Sequence, residues 1–261
     1  MPEWLVMAVW VPERVDGVRV WLCDDGRMAT HSTQSVDRGA DGAMQLDLWT
    51  PDSEPRMAML VIQEIFGVGP YIRAVCQRLA DAGYLVAAPD VFWRFAPHWE
   101  AAHDEAGLSE SFAKVQQLDF PVAVSDCVAA LEHLGEYSGL ATAPGVIGFC
   151  LGGTLAWAVA ASGSPSVCIS YYGSGVPAMI GSIDDVHCPT LLHFGNADDF
   201  IPNDGVDVVA AAIAGRPGFV LNVENAGHAF DNHESEMFYN QPASNAAWAK
   251  TMAFLVAHSP S

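Results

Sequence analysis

From about residue 57 onward, the chain alternates short apolar runs with segments whose apolar residues recur every three or four positions. The runs at 57–63, 84–88, 145–149, 167–172, 190–195 and 219–224 are continuous and bounded by turn residues. Runs of that kind read as strands buried on both faces, the pattern of a parallel sheet. Between them, Ile72, Val75 and Leu79 mark a helical face that stops at Gly83, a residue suited to follow a helix C-terminus. Residues 119–134 read as a second helix, with Pro121 near its start, where a missing N–H costs nothing. Further helices are predicted over 152–161, 204–214 and 243–258. There is no internal repeat, low-complexity tract or long linker. The alternation predicts one α/β domain over 1–261, with a mostly parallel central sheet and helices on both faces. Residues 1–50 carry the weakest signal, and Asp24-Asp25-Gly26 reads as a turn between two antiparallel strands that begin the sheet.

One strand-to-helix joint stands out. Gly148-Phe149-Cys150-Leu151-Gly152-Gly153 lies between an apolar strand and an apolar helix, which is the context a G-x-nucleophile-x-G turn requires. Glycines let such a strained turn close, so the nucleophile projects above the sheet while the helix starts at once. The helix N-terminus then offers partial positive charge and a free N–H beside the sulfur. A buried cysteine in a glycine-rich turn is the plainer alternative, and a phosphate loop is disfavoured because neither G-x-x-x-x-G-K-[ST] nor G-x-G-x-x-G occurs. A nucleophile needs an acid and then a histidine beyond the ends of later strands. Strand 190–195 is followed by Asp198 and Asp199, and strand 219–224 by Gly227-His228. Histidine would act as base for the thiol and acid for the leaving group, while a carboxylate fixes its tautomer. Physical reasoning alone leaves the choice between Asp198 and Asp199 open.

Over roughly residues 45–257 the chain resembles the dienelactone hydrolase family of α/β-hydrolases. The matching motifs are Gln63-Glu64-Ile65-Phe66-Gly67-Val68, Pro89-Asp90-Val91-Phe92-Trp93-Arg94, Gly148 to Gly153, Tyr171-Tyr172-Gly173, the Asp198 to Pro202 segment and Ala226-Gly227-His228. The resemblance implies an α/β-hydrolase fold with Cys150 as nucleophile, His228 as base and Asp198 as orienting acid. It implies that Glu64 is a catalytic residue that contacts the resting Cys150 thiol and helps generate the thiolate as substrate arrives, and that the backbone N–H groups of Ile65 and Leu151 form the oxyanion hole. It further implies Phe66 as a substrate-binding residue and Arg94 as the grip on a substrate carboxylate. The sequence departs from the family pattern at Asn232, where a second arginine is expected, and at Gly69, where asparagine is common. An asparagine donates a hydrogen bond but does not neutralise a carboxylate, so the expected reaction is hydrolysis of a lactone or activated ester rather than of dienelactone specifically. A thiolate is also a good leaving group, which favours substrates that release a stabilised enolate or similar alcohol. A broad carboxylesterase, an acyltransferase on the same triad, and a non-catalytic binding protein keeping the fold are the alternatives.

Composition narrows the partners. With 31 acidic and 11 basic residues, the net charge is −20, which argues against nucleic acid and anionic membrane surfaces. At 51% hydrophobic residues the chain is too apolar to stay disordered, and 261 residues bury on the order of 73% of the unfolded surface. Residues 4–11 are apolar but follow Glu3 rather than a basic stretch, so they do not read as a signal peptide. No run approaches the roughly 18 apolar residues that span a bilayer. A cytoplasmic monomer or small homo-oligomer acting on a small-molecule lactone or ester is therefore expected, with Arg94 available for a carboxylate on it. The six cysteines show no C-x-x-C pairing and read as reduced thiols. His98 and His103 are spaced i, i+5, which does not suit two ligands on one helix face, and the segment reads as a loop covering the pocket. His193, inside a strand, reads as a packed core residue. No cofactor or metal is expected.

Overall fold

The computed structural model describes residues 12–15, 18–21 and 29–259. The apolar run 4–11, Cys23 and the 24–26 turn lie outside the described residues. The strands are β1 (Pro12–Val15), β2 (Val18–Trp21), β3 (Thr30–Asp37), β4 (Ala43–Thr50), β5 (Ala58–Ile62), β6 (Leu85–Pro89), β7 (Gly145–Phe149), β8 (Cys168–Tyr171), β9 (Thr190–Gly195) and β10 (Phe219–Glu224). The helices are α1 (Pro70–Asp81), α2 (Glu105–Val115), α3 (Phe120–Ser138), α4 (Leu151–Ser162), α5 (Val176–Met179), α6 (Asn203–Ile213) and α7 (Gln241–His258). All ten strands share one sheet, in the order β1-β2-β3-β4-β6-β5-β7-β8-β9-β10. From β6 to β10 neighbours pair in parallel, while the pairings from β1 through β4 to β6 are antiparallel.

This order explains the two helical layers. The chain leaves β5 through α1 to reach β6 on one side, then passes back through α3 to β7 on the other side. Right-handed crossovers in opposite directions place α1 and α3 on opposite faces. α4 follows the direction of α3 and packs against it. α7 joins the layer of α1, where the Arg78 guanidinium lies 3.8 Å from the centre of the Trp248 ring. Every residue of β5, β6, β7, β8 and β9 is buried, as a strand covered on both faces requires. The two directions of travel part at β5 and β7, and the crevice beyond their C-terminal ends is where an open α/β sheet binds its ligand.

One expectation needs correction. β10 is not buried on both faces: it is the edge strand, and Val220 and Val223 are 45% and 44% exposed. A single pairing partner, β9, leaves its outer flank uncovered. Residues 98–103 carry no helix, and α2, which is not among the helices predicted from the sequence, begins just after them. Its N-cap Asp104 accepts from the Gly107 N–H at 2.8 Å, and its Leu108, Phe112 and Val115 recur at helical spacing.

Candidate active site

Cys150 sits at the joint of β7 and α4 with φ 54° and ψ −112°, a backbone conformation that a non-glycine residue adopts only under constraint. Neighbouring glycines make the constraint possible. A Cβ on Gly148 would lie 1.9 Å from the Gly152 carbonyl oxygen, and one on Gly152 would lie 2.1 Å from that of Ile62. The turn therefore presses α4 onto the ends of β5 and β7 and lifts the sulfur into the crevice. Leu151 is the first residue of α4, where backbone N–H groups have no intrahelical acceptor.

The sulfur lies 3.1 Å from His228 Nε2, and His228 Nδ1 lies 2.8 Å from Asp198 Oδ2. Asp198 is fixed in turn, because its Oδ1 accepts from the N–H groups of Phe200 (2.8 Å) and Ile201 (3.1 Å). Asp199 is exposed and takes no part in this line. The imidazole packs between the rings of Phe200 and Tyr172, at 4.8 and 5.3 Å between centroids. Burial works against a charge on His228. The facing Cys150 sulfur and the Asp198 carboxylate outweigh it and push its pKa up to about 10.

Glu64, just beyond β5, lines the same cavity as Cys150 and is 3% exposed at its side chain. Its partners differ from those expected. The sulfur's hydrogen bond goes to His228, while Glu64 Oε2 accepts from Asn232 Nδ2 at 3.3 Å and Oε1 lies 3.6 Å from His103 Nε2. Burial, reinforced by the negative charge of Cys150, raises the Glu64 pKa well above the usual carboxylate range. Ile65 and Leu151 both line the cavity, as does Phe66, whose ring also stacks on His103 at 4.4 Å.

Arg94 lies elsewhere. Its Nε and Nη2 both donate to Asp126 at 2.9 Å, Nη1 donates to Asp41 at 2.7 Å, and the guanidinium lies over the Trp93 ring. Asp126 is buried on α3 and also receives Arg38 and the Trp93 indole, so it is a fixed anionic anchor that a mobile substrate would have to displace. Arg94, expected to grip a substrate carboxylate, is thus engaged by carboxylates of the protein and is absent from the cavity lining.

The cavity measures about 260 Å³ and its walls are apolar, from Leu108, Phe112 and Val115 of α2 together with Phe120, Phe200 and Phe238. Phe112 and Phe200 are 40% and 44% exposed, with ring centroids 6.3 Å apart. Sequence reasoning missed these wall residues, although the Asp104 cap and the i, i+4, i+7 spacing of Leu108, Phe112 and Val115 carried the signal. It did place His193 in the core, where Nε2 meets Thr251 Oγ1 at 3.0 Å. Among the described residues, no group of three or more His, Cys, Asp or Glu is arranged to hold a metal ion, and no helix is long and apolar enough to cross a membrane.

The sequence profile of the dienelactone hydrolase family matches residues 44–259. A carboxymethylenebutenolidase of Pseudomonas putida is 30% identical over 217 residues, which cover 82% of this chain and 91% of that protein. A carboxymethylenebutenolidase of Rhodococcus opacus is 31% identical over 210 residues, or 75% and 79% of the two chains. The crystal structure of a dienelactone hydrolase-like promiscuous phosphotriesterase from metagenomic libraries is similar with TM-score 0.72 at 21% identity, over 88% of this chain and 99% of that one. At that identity the likeness speaks for the fold. The family profile spans the sheet from β4 to the last helix, and on that ground the chain belongs to the dienelactone hydrolase family, as a hydrolase acting on ester bonds.

Proposed function

We propose that the protein hydrolyses uncharged lactones or activated esters through a thioester on Cys150. The observation that carries this reading is the unbroken line from Cys150 Sγ through His228 to Asp198, opening into an apolar cavity. His228 Nε2 takes the thiol proton, and the thiolate attacks the substrate carbonyl. The developing oxyanion is received by the Ile65 and Leu151 N–H groups, one from the loop after β5 and one from the start of α4. His228 then returns the proton to the leaving oxygen. A water deprotonated by the same imidazole attacks the thioester, and collapse of the second oxyanion expels the sulfur. Asp198 holds His228 in the tautomer whose Nε2 faces the sulfur.

The substrate reading follows from the walls. The cavity lining contains no lysine or arginine, the Arg94 guanidinium is bound to carboxylates of the protein, and Asn232 is turned to Glu64. A carboxylate entering this cavity would be desolvated with no lysine or arginine to meet it, since the positive charge of His228 is already paired with Asp198 and the Cys150 sulfur. A neutral acyl or aryl group instead finds aromatic rings on several sides.

The test is hydrolysis of a neutral aryl ester and a neutral enol lactone beside a carboxylated dienelactone, with mass spectrometry of the acylated protein. Expected are turnover of the neutral substrates, an acyl adduct on Cys150, and loss of both in Cys150→Ala. Preference for the carboxylated lactone would overturn the substrate class, and turnover in Cys150→Ala would overturn the nucleophile. Transfer of the acyl group to added alcohol in preference to water would make the protein an acyltransferase.

A further inference from the structure

Behind the nucleophile lies a second set of polar groups that the steps above do not use. His103 stands at the end of the loop between β6 and α2, and this loop is pinned in place. The Ala101 N–H donates to the Phe66 carbonyl at 3.2 Å, and Ser235 Oγ donates to the His103 carbonyl at 3.2 Å. The His103 side chain is 5% exposed and stacks on Phe66. Its Nδ1 lies 3.0 Å from Asn232 Oδ1, whereas its Nε2 is buried without a hydrogen-bond partner and faces Glu64 Oε1 at 3.6 Å.

The protons can be assigned by following obligate donors. The Glu234 backbone N–H donates to Asn232 Oδ1, so that atom is the amide oxygen and Nδ2 is the donor to Glu64 Oε2. An oxygen at that position requires His103 Nδ1 to carry a proton. In a neutral ring, Nε2 then presents a lone pair toward Glu64 Oε1. Two lone pairs would face each other across 3.6 Å unless a proton lies between them. Burial disfavours a charge on either partner, and it moves the Glu64 pKa up and that of His103 down. The proton therefore belongs to the carboxyl, with the ring as its acceptor.

We propose that His103 is a positioning residue of this site: its Nε2 accepts the Glu64 proton and so keeps an uncharged, immobile carboxyl beside Cys150. The proposal rests on the reading of Cys150 as the nucleophile. Its consequence is electrostatic. An ionised Glu64 would set a second negative charge near the thiolate and oppose its formation, while the neutral acid leaves the thiolate with the His228 imidazolium alone. The other titratable groups around the pair are Cys150, His228 and the buried Tyr172 on the Glu64 side and His233 and Glu234 on the His103 side. Asp104, next in the chain, is occupied in capping α2.

The experiment follows Cys150 directly, as the rate of its alkylation by iodoacetamide against pH, with the modified peptide identified by mass spectrometry. His103→Asn keeps a donor near the Nδ1 position and removes Nε2. Without its acceptor Glu64 ionises more readily, and the alkylation profile is expected to move to higher pH by about half a unit or more. In a Glu64→Gln background, where there is no carboxyl proton to hold, the same substitution is expected to leave the profile in place. His103→Gln, which restores an acceptor near Nε2, is expected to bring the profile back toward the wild type, and it carries the comparison should His103→Asn fail to fold. An unchanged profile in His103→Asn, or an equal shift in both backgrounds, overturns the proposal. A wild type that shows this profile and forms an acyl adduct leaves the nucleophile reading intact even then, whereas a wild type that forms no adduct on Cys150 overturns both.

Discussion

Asp198 and Asp199 are neighbours in sequence with different surroundings. The first is buried against His228 with two backbone N–H groups on its other oxygen, and the second faces solvent. Asp198→Asn is expected to lower kcat on the order of 10⁴-fold, because the amide favours the wrong imidazole tautomer. Asp199→Asn is expected to leave kcat within a factor of about two, since it removes only an exposed charge. Initial rates on a neutral aryl ester check both. Glu64 makes a prediction of opposite character, in stability. Its pKa in the folded protein lies above its ordinary value of about 4.5, so the folded state holds a proton that the unfolded chain has lost. That contribution is fully present below about pH 4.5 and is lost as pH rises toward the folded pKa. Denaturant titrations across this range should show Glu64→Gln gaining on the wild type as pH increases, and a constant difference would contradict a buried neutral acid. The meeting of Cys150, Asp198 and His228 was legible in the sequence because each follows a recognisable apolar strand in a fixed order. The pairing of Arg94 was not, since the carboxylate that captures it belongs to Asp126, on a helix 32 residues further on, and no local pattern announces it.

At the scale of elements, His193 links three of them. Lys250 Nζ donates to Asn222 Oδ1, which turns the Asn222 amide N–H toward His193 Nδ1 at 2.8 Å, and His193 Nε2 meets Thr251 at 3.0 Å. β9, β10 and α7 are thus tied through one neutral imidazole. Burial, helped by the Lys250 charge, lowers its pKa to about 3. Its contribution is full above the unfolded value of about 6.5 and declines as pH falls toward 3, by up to about 1.4 kcal/mol per pH unit. His193→Gln is expected to be less stable than the wild type at neutral pH but to lose less on acidification, as measured by urea unfolding at a series of pH values. β7 and β9 end where their apolar runs end, since a strand hemmed in by neighbours has little choice of register. Burial of β10 was misjudged for the complementary reason: an apolar run records propensity, and only the strand order shows which run lies at the edge. α2 was barely legible because its sequence, EAGLSESFAKV, mixes polar residues among few apolar ones and only Gly107 and Ser111 are fully buried.

For the molecule as a whole, the net charge of −20 sets a field that favours uncharged substrates before any contact is made. Raising salt from about 0.01 to about 0.15 M shortens the screening length from about 30 to about 8 Å. Over that range, kcat/KM for an anionic ester is expected to rise while that for a neutral ester of the same acyl group stays level, and parallel responses would show that the field plays no part in selection. The parallel half of the sheet was readable from its alternation with helices, whereas the antiparallel strands before it were expected in kind but not in extent, because β3 is largely polar and exposed. Glu64, Cys150, Asp198 and His228, the groups of the proposed site, stand beyond the ends of β5, β7, β9 and β10, far apart in sequence and joined only by the fold. The apolar roof is arranged differently, with Leu108, Phe112, Val115 and Phe120 supplied by one unbroken stretch of α2 and the start of α3. Reaction and entry are thus carried by different parts of the chain: replacing that one segment is expected to change the range of acyl groups admitted while leaving Cys150, Asp198 and His228 in place.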